Sequence, residues 1–261
     1  MSTRSIEGAR ILITGASSGI GRELARALLR QGANVVVTAR REERLRELAD
    51  EFRAAGRQVI CVAGDITDAT VRERVLRAAQ DALGGLDILV NHAGVGANGL
   101  FSRAHADRLR RVMEVNFFAP AELTRAALPL LRAGRRPLIV NIGSVLGHVA
   151  VPRKSEYCAS KFALHGLSDA LRAELAREGM DLLLVSPSAT ESEFADNVLE
   201  TDGRRPRRPL GRMSAQRVAQ QVVRAMRRGR HEIILSPGGK LAVWLDRLCP
   251  PLVNRLIARF G

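Results

Sequence analysis

The chain has 261 residues, 46% of them hydrophobic, with a mean hydropathy of −0.04, which fits a soluble globular protein large enough for one α/β domain. Three scattered cysteines (Cys61, Cys158, Cys249) form no CxxC pair and there is no His-rich cluster, so neither a disulfide framework nor a metal site is expected, and a reducing, cytoplasmic setting is the simplest. The net charge of +14 raises nucleic acid, anionic lipid or an acidic partner. Its arginines, however, alternate with glutamates as in Arg40-Arg41-Glu42-Glu43-Arg44, and one tyrosine and one tryptophan make no base-stacking platform, which speaks against nucleic acid.

Only ten mixed residues precede the first apolar run, too few for a signal peptide, and no apolar stretch reaches the length of a membrane span. Strand-like runs then follow at Ala9–Thr14, Asn34–Thr38, Gln58–Val62, Leu86–Val90, Pro137–Ile142, Asp181–Ser186 and Glu232–Leu235. Several are continuously apolar, as strands buried on both faces are. Helical periods separate them at Gly21–Gln31, Glu42–Ala55, Thr70–Ala82 and Ser155–Arg177. This alternation predicts a single doubly wound α/β domain with a mostly parallel sheet over residues 1–237, followed by an amphipathic tail over 238–261.

The first run leads into Thr14-Gly15-Ala16-Ser17-Ser18-Gly19-Ile20-Gly21 and then a helix. Glycines there permit a tight turn and close approach of a pyrophosphate, and the helix start offers free N–H groups to that anion. At the end of the second run no carboxylate precedes Glu42. Arg40 and Arg41 therefore favour a cofactor carrying a 2′-phosphate, NADP(H) over NAD(H), unless they only pair with Glu43 or Glu47. After the third run, Asp65 in Gly64-Asp65-Ile66 could accept from an adenine amino group, or serve as a helix cap.

Tyr157 is the single tyrosine, and Lys161, one of three lysines, follows it by one helical turn. At this spacing the side chains share a helix face, and an ammonium beside a phenol lowers the phenol's pKa towards the range of a general acid/base. Taken together, Thr14–Gly21, Asn91-His92-Ala93-Gly94, Asn116, Ser144 and Tyr157-x-x-x-Lys161 resemble the short-chain dehydrogenase/reductase family, in order across residues 9 to about 200.

That resemblance implies a Rossmann-like parallel sheet of about seven strands and NAD(P)-linked oxidation or reduction. It implies that Tyr157 is the general acid/base, that Ser144 binds the substrate oxygen, and that Lys161 holds the nicotinamide ribose and lowers the Tyr157 pKa. Asn116 would hold a relay water. Cofactor contacts would run through Gly15, Ser17, Ser18, Gly19, Ile20, Gly21, Arg40, Arg41, Asp65, Ile66, Asn91, Ala93, Gly94, Tyr157, Lys161, Pro187 and Thr190. A homo-oligomer, dimer or tetramer, is also implied. Two positions depart from the family pattern: His92, where a second asparagine is usual, and Ser188, where glycine is usual. The latter is expected to cost backbone freedom.

The substrate loops, Val95–Phe101, Val145–Glu156 and Ala189–Arg212, carry Leu100, Phe101, Val145, Leu146, Val149, Val151, Phe194, Val198 and Leu199, which favours an apolar carbonyl compound or alcohol. His148 is either a substrate contact or solvated. Arg204–Arg208 is either a lid drawing an anionic substrate, such as a 3-oxoacyl thioester on an acidic carrier, or a solvated loop. In the tail, Leu241–Leu248 and Leu252–Phe260 flank Pro250-Pro251, and apolar residues alternate with Lys240, Arg247, Arg255 and Arg259. Such a segment can lie on a membrane surface or pack on its own domain or a partner subunit. A non-catalytic dinucleotide sensor or interaction module is the alternative from another class, and the full Asn116, Ser144, Tyr157 and Lys161 set argues against it.

Overall fold

The computed structural model describes residues 3–195, 198–199 and 212–260; the Arg204–Arg208 cluster lies outside them. In chain order the elements are β1 (Arg10–Thr14), α1 (Gly19–Leu29), β2 (Asn34–Ala39), α2 (Glu42–Arg53), β3 (Val59–Ala63), α3 (Ala69–Leu83) and β4 (Ile88–Asn91). There follow α4 (Arg108–Met113), a π-helical turn (Glu114–Phe118), α5 (Ala119–Arg132), β5 (Leu138–Ile142), α6 (Ser155–Ala176) and β6 (Asp181–Ser186). The chain continues through β7 (Thr190–Glu191), β8 (Met213–Ser214), α7 (Ala215–Arg227), β9 (Glu232–Ile234), α8 (Pro237–Leu248) and α9 (Pro250–Phe260).

Seven strands form one parallel sheet in the order β3-β2-β1-β4-β5-β6-β9. Strand β1 pairs with β2 on one side (Leu12 opposite Val36) and with β4 on the other (Leu12 opposite Leu89). The chain reverses direction across the sheet between β1 and β4, and it is outside the carboxyl ends of strands at such a switch point that doubly wound folds bind ligands.

The continuously apolar strands face two cores. Ile11, Ile13, Val35 and Val37 point to one layer, with Leu24 and Leu28 of α1, Leu45 and Leu48 of α2, and Val218 and Val222 of α7. Leu12, Val36, Leu89 and Ile139 point to the other, with Val71 and Val75 of α3, Leu123 and Ala127 of α5, and Leu175 of α6. Each strand therefore needs apolar side chains at consecutive positions, which is why alternation is absent.

The arginine-rich helix faces are solvated as expected. Arg22–Glu47, Arg44–Glu47, Arg46–Glu42 and Arg53–Asp50 are surface ion pairs, and pairs of this kind contribute little to stability. The tail divides its two faces. Val243 and Val253 are buried against Val145 and Val149 of the loop after β5, so one face packs on the protein's own domain. On the other face Leu241, Trp244, Leu245, Leu248, Leu252 and Leu256 are exposed, Leu248 to 75%.

Candidate active site

One cleft of about 650 Å3 opens at the carboxyl ends of β1 and β4 and runs from Arg40 and Asp65 to Tyr157 and Phe194. Its floor at one end is the turn between β1 and α1. Gly15 adopts φ +70° and Gly19 φ +55°, backbone states that favour glycine. Thr14 Oγ1 accepts from the N–H of His92 and of Ala93, both at 3.0 Å, tying this turn to the end of β4. Helix α1 begins at Gly19 with no side-chain cap from Ser18 and no acidic residue in its first turn. Its first N–H donors are thus available to an anion lying in the cleft.

His92 completes this contact. Its Nδ1 lies 3.2 Å from the Gly15 carbonyl, which can only accept, so the imidazole adds a hydrogen bond to the turn. Burial, and then the nearby Lys161 charge, push the His92 pKa down to about 4, leaving the ring neutral.

At the β2 end the two arginines part company. Arg41 pairs with Glu193 at 2.8 Å and donates to Ser17 Oγ at 3.2 Å, not to Glu43 or Glu47. That hydrogen bond also holds the Glu193 carboxyl below its usual range. Arg40 is exposed at the cleft mouth with no hydrogen bond or ion pair among the described residues. Asp65 Oδ1 accepts from the Thr67 N–H at 3.0 Å and hydroxyl at 2.8 Å. The cap of α3 is instead Asp68, which accepts from the Thr70 N–H.

At the other end α6 presents Tyr157 and Lys161 on one face, and the turn after β5 presents Ser144. The Ser144 hydroxyl is a hydrogen-bond partner of Tyr157; it also accepts from the Leu146 N–H at 3.1 Å, capping the short helical turn Val145–Gly147. The turn-capping contact therefore leaves the Ser144 hydroxyl beside the Tyr157 phenol. Lys161 Nζ lies 5.8 Å from the Tyr157 ring centroid and donates to the Ile142 carbonyl at 2.9 Å.

The Tyr157 pKa moves opposite to the direction anticipated from its spacing to Lys161. Burial of the phenol dominates and pushes it up to about 12, with the Ser144 hydrogen bond pulling partly back. Lys161, itself stripped of solvent, falls to about 8. The desolvation that sequence spacing cannot register outweighs the pairwise charge effect in this site.

Three expected site residues do not line the cleft. Gly21 packs beneath it, where a Cβ would lie 2.4 Å from the Gly15 carbonyl oxygen. Asn91 is buried and donates to Thr124 Oγ1 and Asn141 Oδ1, both at 2.9 Å, behind the sheet end. Asn116 is buried with both amide protons engaged: Nδ2 donates to the Val95 carbonyl and Ser160 Oγ, and Oδ1 accepts from the Val95 N–H. It sits in the π-helical turn, a distortion that breaks the regular carbonyl–amide pairing of the flanking α-helix. Ser17, Ser18, Ile20, Ile66, Ala93, Gly94, Pro187 and Thr190 all face the cleft. Ser188 faces it too and is not among the residues with positive φ, so the backbone cost expected there is absent.

Of the apolar loop residues, Val145, Leu146, Val151, Phe194 and Val198 line the cleft, and the Phe194 ring lies 5.7 Å from that of Tyr157. Leu100 and Phe101 point to solvent, Val149 packs under the tail, and Leu199 packs against Val95, Ala97 and Val112. His148 is neither a cleft residue nor solvated. It is buried beside His165, Ser186 and Glu232.

The model of the family described as short chain dehydrogenase matches residues 9–203. The chain belongs to the short-chain dehydrogenase/reductase family. It is accordingly an oxidoreductase with a Rossmann-like fold. Among its relatives, bovine (Bos taurus) dehydrogenase/reductase SDR family member 7B is 34% identical over 265 residues, covering 97% of this chain and 81% of its own. A short-chain dehydrogenase/reductase of Burkholderia phymatum, solved in complex with NAD, has a TM-score of 0.87 at 28% identity, covering 95% and 96% of the two chains. One from Burkholderia cenocepacia J2315, solved in complex with NADP, has a TM-score of 0.83 at 27% identity over 97% and 99%.

Several polar groups around this short-chain dehydrogenase/reductase cleft escaped the motifs. Lys154 and Arg212 line it, and Arg212 donates to the Thr190 carbonyl at 3.1 Å. Arg108 and Glu156 form a buried ion pair that fastens the first turn of α6, next to Tyr157, onto α4. In so arginine-rich a chain nothing marked these residues out.

Proposed function

We propose that this chain is an NADP(H)-dependent oxidoreductase acting on the carbonyl or secondary alcohol of an apolar substrate, with Tyr157 as general acid/base. The observation carrying this reading is the convergence of Ser144, Tyr157 and Lys161 at the apolar end of a cleft whose far end holds Arg40, unpaired among the described residues.

The cleft fits a dinucleotide. The uncapped start of α1 suits a pyrophosphate, Asp65 keeps Oδ2 without a partner among the described residues, and Arg40 suits a 2′-phosphate. A nicotinamide held there supplies or accepts the hydride. The protein's own groups then hold the substrate and move the proton. The Ser144 hydroxyl orients the substrate oxygen and stabilises charge developing on it. With a pKa near 12, the Tyr157 hydroxyl keeps its proton at neutral pH and is poised to donate it, which favours reduction. Lys161 is charged below about pH 8 and keeps further N–H groups for a ribose or a water beyond its bond to Ile142. With both Asn116 amide protons engaged, a relay water on this segment would have to donate, to the second lone pair of Asn116 Oδ1 or to a backbone carbonyl of the π-helical turn.

Fluorescence titration with NADPH and NADH, followed by NADPH oxidation against apolar ketones, aldehydes and 3-oxoacyl thioesters, tests this reading. Tight NADPH binding with turnover of an apolar carbonyl compound supports it. Turnover confined to the thioesters would move the substrate to an acyl carrier, and binding without turnover would favour a dinucleotide sensor. The exposed apolar face of α8 and α9, interspersed with Lys240, Arg247, Arg255 and Arg259, further supports peripheral contact with an anionic membrane surface. Among the described residues no helix is long and apolar enough to cross a membrane.

A further inference from the structure

Behind the Ser144 turn, three elements that are distant in sequence bring metal-ligand side chains together. His148 comes from the end of that turn, His165 from α6, and Glu232 from β9. None of them lines the cleft. The two imidazole rings lie 4.3 Å apart between centroids, and one donor atom from each of the three residues lies within 4.8 Å of the other two. We propose that His148, His165 and Glu232 bind a divalent transition-metal ion of the zinc class, and that this ion fastens β9 and the segment after it to α6 and to the turn that carries Ser144.

The hydrogen-bond chemistry of the cluster is short of protons. Glu232 Oε1 lies 3.2 Å from His148 Nε2, yet this buried oxygen accepts no hydrogen bond. The Ser186 hydroxyl, 2.9 Å from the same Nε2, can donate to its one lone pair, which leaves the carboxylate oxygen without a donor; with an ion bound, that hydroxyl turns away and the lone pair goes to the metal. His165 repeats the pattern. Its Nδ1 lies 3.0 Å from the Gly147 carbonyl, which can only accept, so Nδ1 carries a proton, and in the neutral ring a metal requires Nε2 carries the lone pair. That Nε2 faces Asp169 Oδ2 at 3.3 Å. Acceptors converging on acceptors is the arrangement a cation resolves, and a buried oxygen left without a donor calls for such an explanation.

The donor set points to the class of ion. Two imidazole nitrogens and a carboxylate oxygen, with a second carboxylate on Asp169 nearby, suit zinc and its neighbours and not magnesium, which prefers oxygen ligands and retains water. The bond from His165 to the Gly147 carbonyl is the outer contact that commonly orients a metal-binding histidine. Gly147 also packs on the Lys161 backbone, where a Cβ would lie 2.7 Å from the Lys161 carbonyl oxygen. An ion here would therefore stiffen the support of the catalytic side chains from behind without touching substrate.

The test uses the full chain after EDTA treatment and dialysis. Calorimetric titration with ZnCl2 should show one equivalent bound and MgCl2 none, with a rise in melting temperature only for zinc. Glu232→Gln and His165→Gln should each weaken zinc binding by roughly tenfold or more. Should a variant fold poorly, CoCl2 added to the unaltered protein gives a second readout: visible d–d bands of four-coordinate cobalt are expected. A cobalt spectrum like that of the hydrated ion, or zinc binding equally tight in the unaltered protein and in Glu232→Gln, would overturn the proposal and place any bound zinc on other surface histidines.

Discussion

Replacing Lys161 with methionine should abolish turnover while making the fold more stable. The Lys161 side chain is 5% exposed, and burial lowers its pKa from 10.5 to about 8. At 1.36 kcal/mol per pKa unit, keeping it charged in the folded state costs about 3 kcal/mol. Methionine has similar length, fills the space with apolar atoms and removes that cost. It also removes the donation to the Ile142 carbonyl at 2.9 Å, a loss of about 1–2 kcal/mol. The net expectation is a gain of about 1–2 kcal/mol at pH 7, or a melting temperature higher by roughly 2–6 °C.

The pH dependence identifies the cause. Because the folded-state pKa lies below the unfolded one, the penalty is fully present below about pH 8 and fades as pH rises towards 10.5. The unaltered protein therefore gains stability across that window, and its deficit relative to the methionine variant closes. Urea unfolding followed by circular dichroism at pH 7 and pH 10 reads both quantities. A variant less stable at pH 7, or a gap that does not change with pH, would refute the reasoning.

Gly21→Ala should lower stability by about 1–3 kcal/mol and weaken dinucleotide binding, since its Cβ would lie 2.4 Å from the Gly15 carbonyl oxygen and 2.6 Å from His92 Nδ1; thermal melting and cofactor titration check both. Arg40→Ala should weaken NADPH binding by about 10–100-fold and leave NADH nearly unchanged, because only the 2′-phosphate meets that guanidinium; equal losses for both cofactors would contradict its assignment. Deleting residues 241–261 should reduce cosedimentation with anionic liposomes, and unchanged cosedimentation would remove the membrane contact from the account.

The layered fold was legible because strands buried on both faces leave continuous apolar runs, as at Ile11–Ile13, and helices packed on a sheet keep an amphipathic period. The parts that were missed have physical reasons. Strands β7 and β8 are only two residues each and leave no periodic trace. The segment from α4 through α5 contains a π-helical turn and an internal proline, Pro129, which blur the helical period. In the cleft, identities at Ser144, Tyr157 and Lys161 were readable from spacing and resemblance, but the direction of the Tyr157 pKa was not, because desolvation is set by the whole surrounding wall. Arg41 finds its partner in Glu193, on the far side of the cleft, and no local pattern could have chosen it over Glu43 or Glu47. His148 and Glu232 meet only through the packing of β9 beside β6.

The most direct test of the central claim is NADPH-linked turnover of an apolar carbonyl substrate by the unaltered protein and by Tyr157→Phe, with cofactor binding measured alongside. The phenylalanine ring keeps the contact with Phe194 and removes only the hydroxyl. Turnover should fall about 100- to 10,000-fold with cofactor affinity little changed. Turnover within a few-fold of the unaltered protein would contradict the assignment of Tyr157 as the proton donor.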